Sequence, residues 1–137
     1  IERALQQLKR KWGDCVNVNV FDLVPLNEYT ELLDEADVVI DQCLGYDYGS
    51  MNCLSSIARG KTVFVSSSSE SMEYNNISDG EFFYVINPSS KVIFEKLDAL
   101  VSDWEQKQIS PKKCLEFIAC RHDMDKQTNH FYKNYVD

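Results

Sequence analysis

Gly49-Ser50-Met51-Asn52 opens a stretch in which Met51, Leu54, Ile57 and Ala58 recur with helical spacing. The chemistry such an opening offers is anion binding. The first turn of a helix has N–H groups without intrahelical partners and carries about half a positive charge. A glycine beside it has no Cβ to keep a phosphate from the backbone. The amides of Gly49, Ser50, Met51 and Asn52 are therefore candidate donors to a phosphate. Neither G-x-G-x-x-G nor a Walker pattern is present, so the same residues also suit a plain turn between a strand and its crossover helix. His122 and His130 lie eight apart with no cysteine pair nearby, and the five cysteines form no C-x-x-C. Neither a metal site nor another cofactor is expected. The odd cysteine number points to reduced thiols in a cytosolic protein, not to a disulfide framework.

The elements that must carry this turn follow from periodicity. Ala4, Leu5, Leu8 and Trp12 make one helical face that ends at Gly13. Residues 16–21 alternate as a strand with one buried face. Pro25 opens a second helix, with Tyr29, Leu32, Leu33 and Ala36 on one side. Residues 37–41, 62–65 and 82–86 read as further strands, the first of them a short β-branched run of the parallel, buried kind. The helix between the first two should run from about Ser50 to Arg59, burying Met51, Leu54, Ile57 and Ala58, with Gly60 past its end. Residues 70–76 form a short helix or turn. After Asn87-Pro88 the chain is helical: Ile93, Leu97, Leu100, Val101 and Trp104 form one stripe, and Ser110-Pro111 is an N-cap and first-turn pair. Cys114, Leu115 and Ile118 give that helix an inner face, Asp123 caps after a break at His122, and Phe131, Tyr132 and Tyr135 mark a last helix.

Strands alternating with helices predict an α/β fold, a single domain over 1–137. Its mostly parallel sheet is covered by helices on both faces and followed by a helical C-terminal tail. In such sheets ligands sit beyond the carboxyl ends of the strands, here the loops 21–25, 41–50 and 66–70. A net charge of −8 argues against nucleic acid as a partner. No apolar run is long enough for a transmembrane segment, and no signal-peptide pattern appears. The chain begins at Ile1, directly in helical sequence, and reads as a piece of a longer protein.

The ordered segments resemble the C-terminal, donor-binding domain of GT-B glycosyltransferases of the group 1, family 4-like kind. Val20 to Pro25, then Tyr29 and Leu32-Leu33, is similar to that family's strand, loop and helix before its "AD" element. Ala36-Asp37-Val38-Val39-Ile40-Asp41 is similar to the next strand. Ala58-Arg59-Gly60-Lys61-Thr62-Val63 stands where the family has A-x-G-K-P-V. Ile77 to Gly80 with Val85 to Pro88 is similar to its "dG…G.lv.p" segment. Tyr46 to Asn52 is closest to a bacterial surface-polysaccharide branch, in which "GMN" precedes the same helix.

The resemblance implies a Rossmann-like domain truncated at its N-terminus. It implies a nucleotide-diphosphate sugar as ligand, the missing N-terminal acceptor domain as partner, and a cytoplasmic, membrane-peripheral parent acting in polysaccharide or glycoconjugate biosynthesis at the inner face of the membrane. Gly49 to Asn52 would hold the diphosphate, Asp22, Leu23 and Val24 the base through their backbone, and Glu70 the sugar. Asp47 and Ser55 stand where the family has two glutamates, and one of them would hold the ribose. Tyr46 and Tyr48 are either stacking platforms or packing residues. No catalytic residue is assigned, and the piece alone is expected to be inactive. The alternatives are a non-catalytic, flavodoxin-like interaction module and a fragment of a GT-B-like sugar-nucleotide epimerase.

Overall fold

A computed structural model describes residues 1–45 and 47–135, apart from the side chains of residues 131, 134 and 135. Tyr46, Phe131 and Tyr135, read above as stacking or last-helix residues, thus lie outside the residues and side chains described. The chain is α/β. Three parallel strands, β1 (Val38–Ile40), β2 (Thr62–Val65) and β3 (Tyr84–Val85), stand in the order β1-β2-β3. Val39 is in register with Val63, and Phe64 with Tyr84. Around them run α1 (Glu2–Trp12), α2 (Leu26–Glu35), α3 (Met51–Ala58), α4 (Ser69–Tyr74), α5 (Ser90–Ser102), α6 (Trp104–Lys107), α7 (Pro111–Arg121) and α8 (Met124–Tyr135).

The middle strand builds two cores because successive side chains leave a strand on opposite faces. Val63 and Val65 pack with Cys53 and Ile57 of α3 and Cys114 and Phe117 of α7. Phe64 packs on the other face with Ala4 and Leu8 of α1 and Ile93, Leu97 and Leu100 of α5. Helices therefore cover both faces. Asp98 of α5 ties the second layer to α1, accepting from Lys11 at 2.7 Å and from the Trp12 indole at 2.8 Å.

Four details depart from the periodicity. Residues 16–21 are not a strand. Val16 packs into the α1–α5 layer, whereas Val20 and Phe21 are exposed. Alternation specifies an apolar side but not a neighbour to pair with, and among the described residues no strand pairs with this segment. In α3 the buried residues are Cys53, Ser56 and Ile57, while Met51 is 76% exposed. Met51 stands in the first turn, beyond the end of the sheet, where no described residue covers it, while Ile57 is buried and Leu54 and Ala58 are half-buried as the spacing requires. Ser110 precedes Pro111 at the start of α7, but its side chain caps no amide. In the same helix Phe117 is buried and Leu115 exposed, since the inner stripe follows Cys114 by three residues and not by one. Asp123 does cap α8, accepting from the Lys126 amide at 3.0 Å.

Candidate functional site

The carboxyl ends of β1 and β2 are neighbours, so the loops that leave them meet. The Ser66 hydroxyl donates to the Gly45 carbonyl at 2.7 Å and accepts from the Gly45 amide at 3.2 Å. The Ser66 amide donates to the Gln42 carbonyl at 2.8 Å. Further out, the Ser71 hydroxyl donates to the Asp47 carboxylate at 3.0 Å. Two serine-capped helices start from this junction. Ser50 accepts from the Cys53 amide at 3.1 Å, and Ser68 from the Ser71 amide at 3.1 Å.

Asp41 and Tyr48 have roles that spacing did not reveal. The Ser50 hydroxyl, while capping α3, donates to the Asp41 carboxylate. A carboxylate of the protein thus already stands at the positive end of α3. Asp41 sits nine positions before Ser50, across a loop, and no local pattern joins the two. Tyr48 is buried and settles between its two earlier readings as a packing residue. Its ring stacks on Phe83 at 4.8 Å and meets Phe117 and the edge of His122. It anchors the loop in the core and leaves Asp47 and Gly49 exposed on either side.

Asp47, Gly49, Ser50, Met51, Asn52 and Glu70 are therefore gathered at one end of the sheet. No described residue accepts a hydrogen bond from the Met51 or Asn52 amide. Asn52 also accepts from the Tyr29 hydroxyl at 3.1 Å, which fixes the first turn of α2 beside that of α3. Glu70 is exposed, and bonds from its own backbone and from Ser68 and Ser69 hold its carboxyl below the usual range. Ser55 lies one turn below Met51 on the same side of α3. Asp22 and Leu23 are exposed before α2, and no hydrogen bond joins Asp22, Leu23 or Val24 to the other loops among the described residues. Burial, with Asp41 and Asp47 nearby, pushes the Cys53 thiol up to about 12, so it is a packing group and not a nucleophile.

His122, at the end of α7, supports this loop from below. Its Nε2 is buried without a hydrogen-bond partner. Burial, and then the Arg121 charge, lower its pKa, with Asp47 opposing. A histidine that is harder to protonate folded than unfolded makes stability rise with pH. Its contribution is complete above the unfolded value of 6.5 and is lost as pH falls through the lower folded value. The melting temperature should therefore fall from pH 7.5 to pH 5, and His122→Phe should flatten that part of the profile. Equal slopes in the two proteins would remove His122 as the cause.

No family model, curated protein or solved structure matches the chain.

Proposed function

We propose that the chain binds a nucleotide-diphosphate sugar, as the donor-binding part of a glycosyltransferase of polysaccharide or glycoconjugate biosynthesis, its sheet being part of a Rossmann-like unit. One observation carries the reading. The loops leaving two adjacent parallel strands are bonded together around the exposed first turn of an eight-residue helix, at the end of an α/β sheet where ligands bind. The Met51 and Asn52 amides would face the diphosphate. Asp47 and Glu70, acceptors only, suit the hydroxyls of a sugar. Ser55 is the weaker candidate for the ribose, since a bond to a charged group is roughly twice as strong as one to a hydroxyl. Asp22, Leu23 and Val24 would serve the base through their backbone. Because Asp41 already faces the α3 start, a diphosphate here needs cations from outside these loops. The chain alone should therefore bind weakly, with Kd in the millimolar range or about −4 kcal/mol, and should transfer no sugar.

The test is a titration of the isotopically labelled chain with UDP, GDP and their sugars, read at the amides of residues 49–52. Gly49→Val should remove the shifts without unfolding the chain. Gly49 is not in the left-handed region, and among the described residues a Cβ there meets just the Asp47 carboxylate, Oδ2 at 3.6 Å and Cγ at 3.9 Å. Absence of shifts in the wild type at about 10 mM nucleotide, well above the assumed Kd, would sink the reading. Sugar transfer by the purified chain would show instead that a complete site is present.

A further inference from the structure

The charge of this chain is unevenly placed. From Gly13 to Ala58 there are nine acidic residues and no lysine or arginine, so within the net −8 this stretch carries −9 and the remainder +1. The same stretch carries Val20, Phe21, Leu23, Leu26, Leu44 and Met51, each between 50% and 102% exposed. Leu26 and Met51 begin α2 and α3, whose first turns the Tyr29–Asn52 bond holds side by side. Leu44 follows β1 directly, and Val20 to Leu23 precede α2.

Within this stretch lies an open strand edge. β1 is the end of the sheet. Asp37 and Asp41 direct their main-chain groups at β2, the Thr62 amide donating to the Asp37 carbonyl and the Asp41 amide to the Phe64 carbonyl. In a parallel ladder alternate residues face alternate sides, so the N–H and C=O of Val38 and Ile40 point away from β2, and no described residue bonds them. Edge strands are commonly short or charged. This one is short, three residues, with an aspartate at each end, but its own side chains are an apolar run of the kind buried on both faces.

We propose that the open edge of β1, with the exposed apolar side chains that follow it and that begin α2 and α3, is a docking surface for a partner polypeptide, an extended strand of alternating basic and apolar residues. Unpaired main-chain groups supply a template for an added strand. The apolar side chains supply contact area, and the acidic surround selects lysine or arginine at the rim. A second copy fits poorly, because the cationic surfaces it offers are helices, α1 with Arg3 and Arg10 exposed and α7 with Lys112 and Lys113 exposed, and a helix cannot extend a strand ladder. The β1 edge itself shares no residue with the proposed nucleotide site, and Leu23 and Met51 border both.

The experiment titrates the labelled chain with a short peptide alternating lysine with valine. Peptides with glutamate for lysine, and with serine for valine, run in parallel. Expected are shifts at residues 20–26 and 38–44, slowed hydrogen exchange at the Val38 and Ile40 amides, and no such response to either control. The affinity should fall by about tenfold in roughly 1 M salt, where charges are screened beyond about 3 Å. The triple variant Asp22→Lys, Glu28→Lys, Asp37→Lys should bind at least as weakly while melting cooperatively. No shifts, equal shifts with the glutamate peptide, or shifts confined to β3 would overturn the proposal and leave the acids as a guard against edge-to-edge association. Protection of Val38 and Ile40 in the free chain, with a dimer in sedimentation, would overturn it in favour of a second copy. Shifts at 49–52 with nucleotide test the donor reading separately, so either can fail alone.

Discussion

Phe64→Ala should lower the unfolding free energy by about 3–5 kcal/mol, a large part of the ~5–15 kcal/mol typical of a domain. Phe64 is the centre of the middle strand, fully buried. One face of its ring stacks on Tyr84 at 5.0 Å and 19°. The rest meets the α1–α5 layer, which contributes Ala4, Leu8, Ile93, Leu97 and Leu100. Those side chains come from helices pinned to one another through Asp98, so they cannot readily close on the space left behind. Phe64 joins the middle strand to both helices of that layer. The urea midpoint should drop while the slope stays constant. Phe21→Ala is the control: its ring is half exposed, and its cost should stay within about 0.5 kcal/mol. Equal costs at the two positions would mean that residues 16–21 form a buried strand after all.

That pair of phenylalanines shows where sequence and structure part. Both lie in runs that read as strand. Thr62-Val63-Phe64-Val65 is apolar on both faces, which only a strand covered on both sides can satisfy, and all four residues are buried. Residues 16–21 alternate, which requires one covered face and a paired edge. Val16 and Val18 are half-buried, and Val20 and Phe21 are left exposed. Periodicity reports what a segment needs and not what the rest of the chain supplies. The same limit appears in α3, where the apolar spacing is correct for a helix but the end of the sheet leaves Met51 bare and draws Cys53 inward. Likewise Ser110-Pro111 marks the start of α7 without the hydroxyl capping it.

The site was legible to the extent that it is local. Ser50 before a helical stretch identifies an N-cap, and the order of strands and helices puts the 41–50 and 66–70 loops at one end. The bonds that join those loops were not legible. Ser66 and Gly45 are 21 residues apart, and Ser71 and Asp47 are 24 apart; they meet only because β1 and β2 pair in parallel register. The Asp41–Ser50 contact changes the electrostatics most. The α3 start, whose unpaired amides suit a phosphate, already faces a carboxylate, so attraction must come from outside this stretch of chain.

Gly60→Ala should cost about 2–4 kcal/mol, the joint effect of left-handed backbone and a steric clash. Gly60 ends α3 in a Schellman arrangement: its amide donates to the Ile57 carbonyl at 2.8 Å and the Lys61 amide to the Ser56 carbonyl at 3.1 Å. Its φ is +71°, where an L side chain is strained. A Cβ there would lie 2.8 Å from the Pro111 Cβ and 3.3 Å from its Cα, and neither is the end of a flexible side chain. Pro111 is the first residue of α7, which packs on α3 around Cys53, Ile57, Cys114 and Phe117. Relieving the clash would shift α7, and with it Phe117 and His122 beneath Tyr48. The two contributions separate in a double-mutant cycle with Pro111→Gly, which removes the opposing Cβ. The coupling should be about 1–2 kcal/mol, the clash share of the cost, with the strain remaining in the double variant. A cost below about 1 kcal/mol for Gly60→Ala, less than left-handed strain alone, would mean that α3 does not end at Gly60 as described. A full cost with no coupling would mean that α7 does not press on that turn. In the expected case α7 holds both ends of α3, Gly60 through Pro111 and the loop before Ser50 through Tyr48, so Gly60→Ala should also shift the amide signals of residues 47–50, about a helix length away from the substitution.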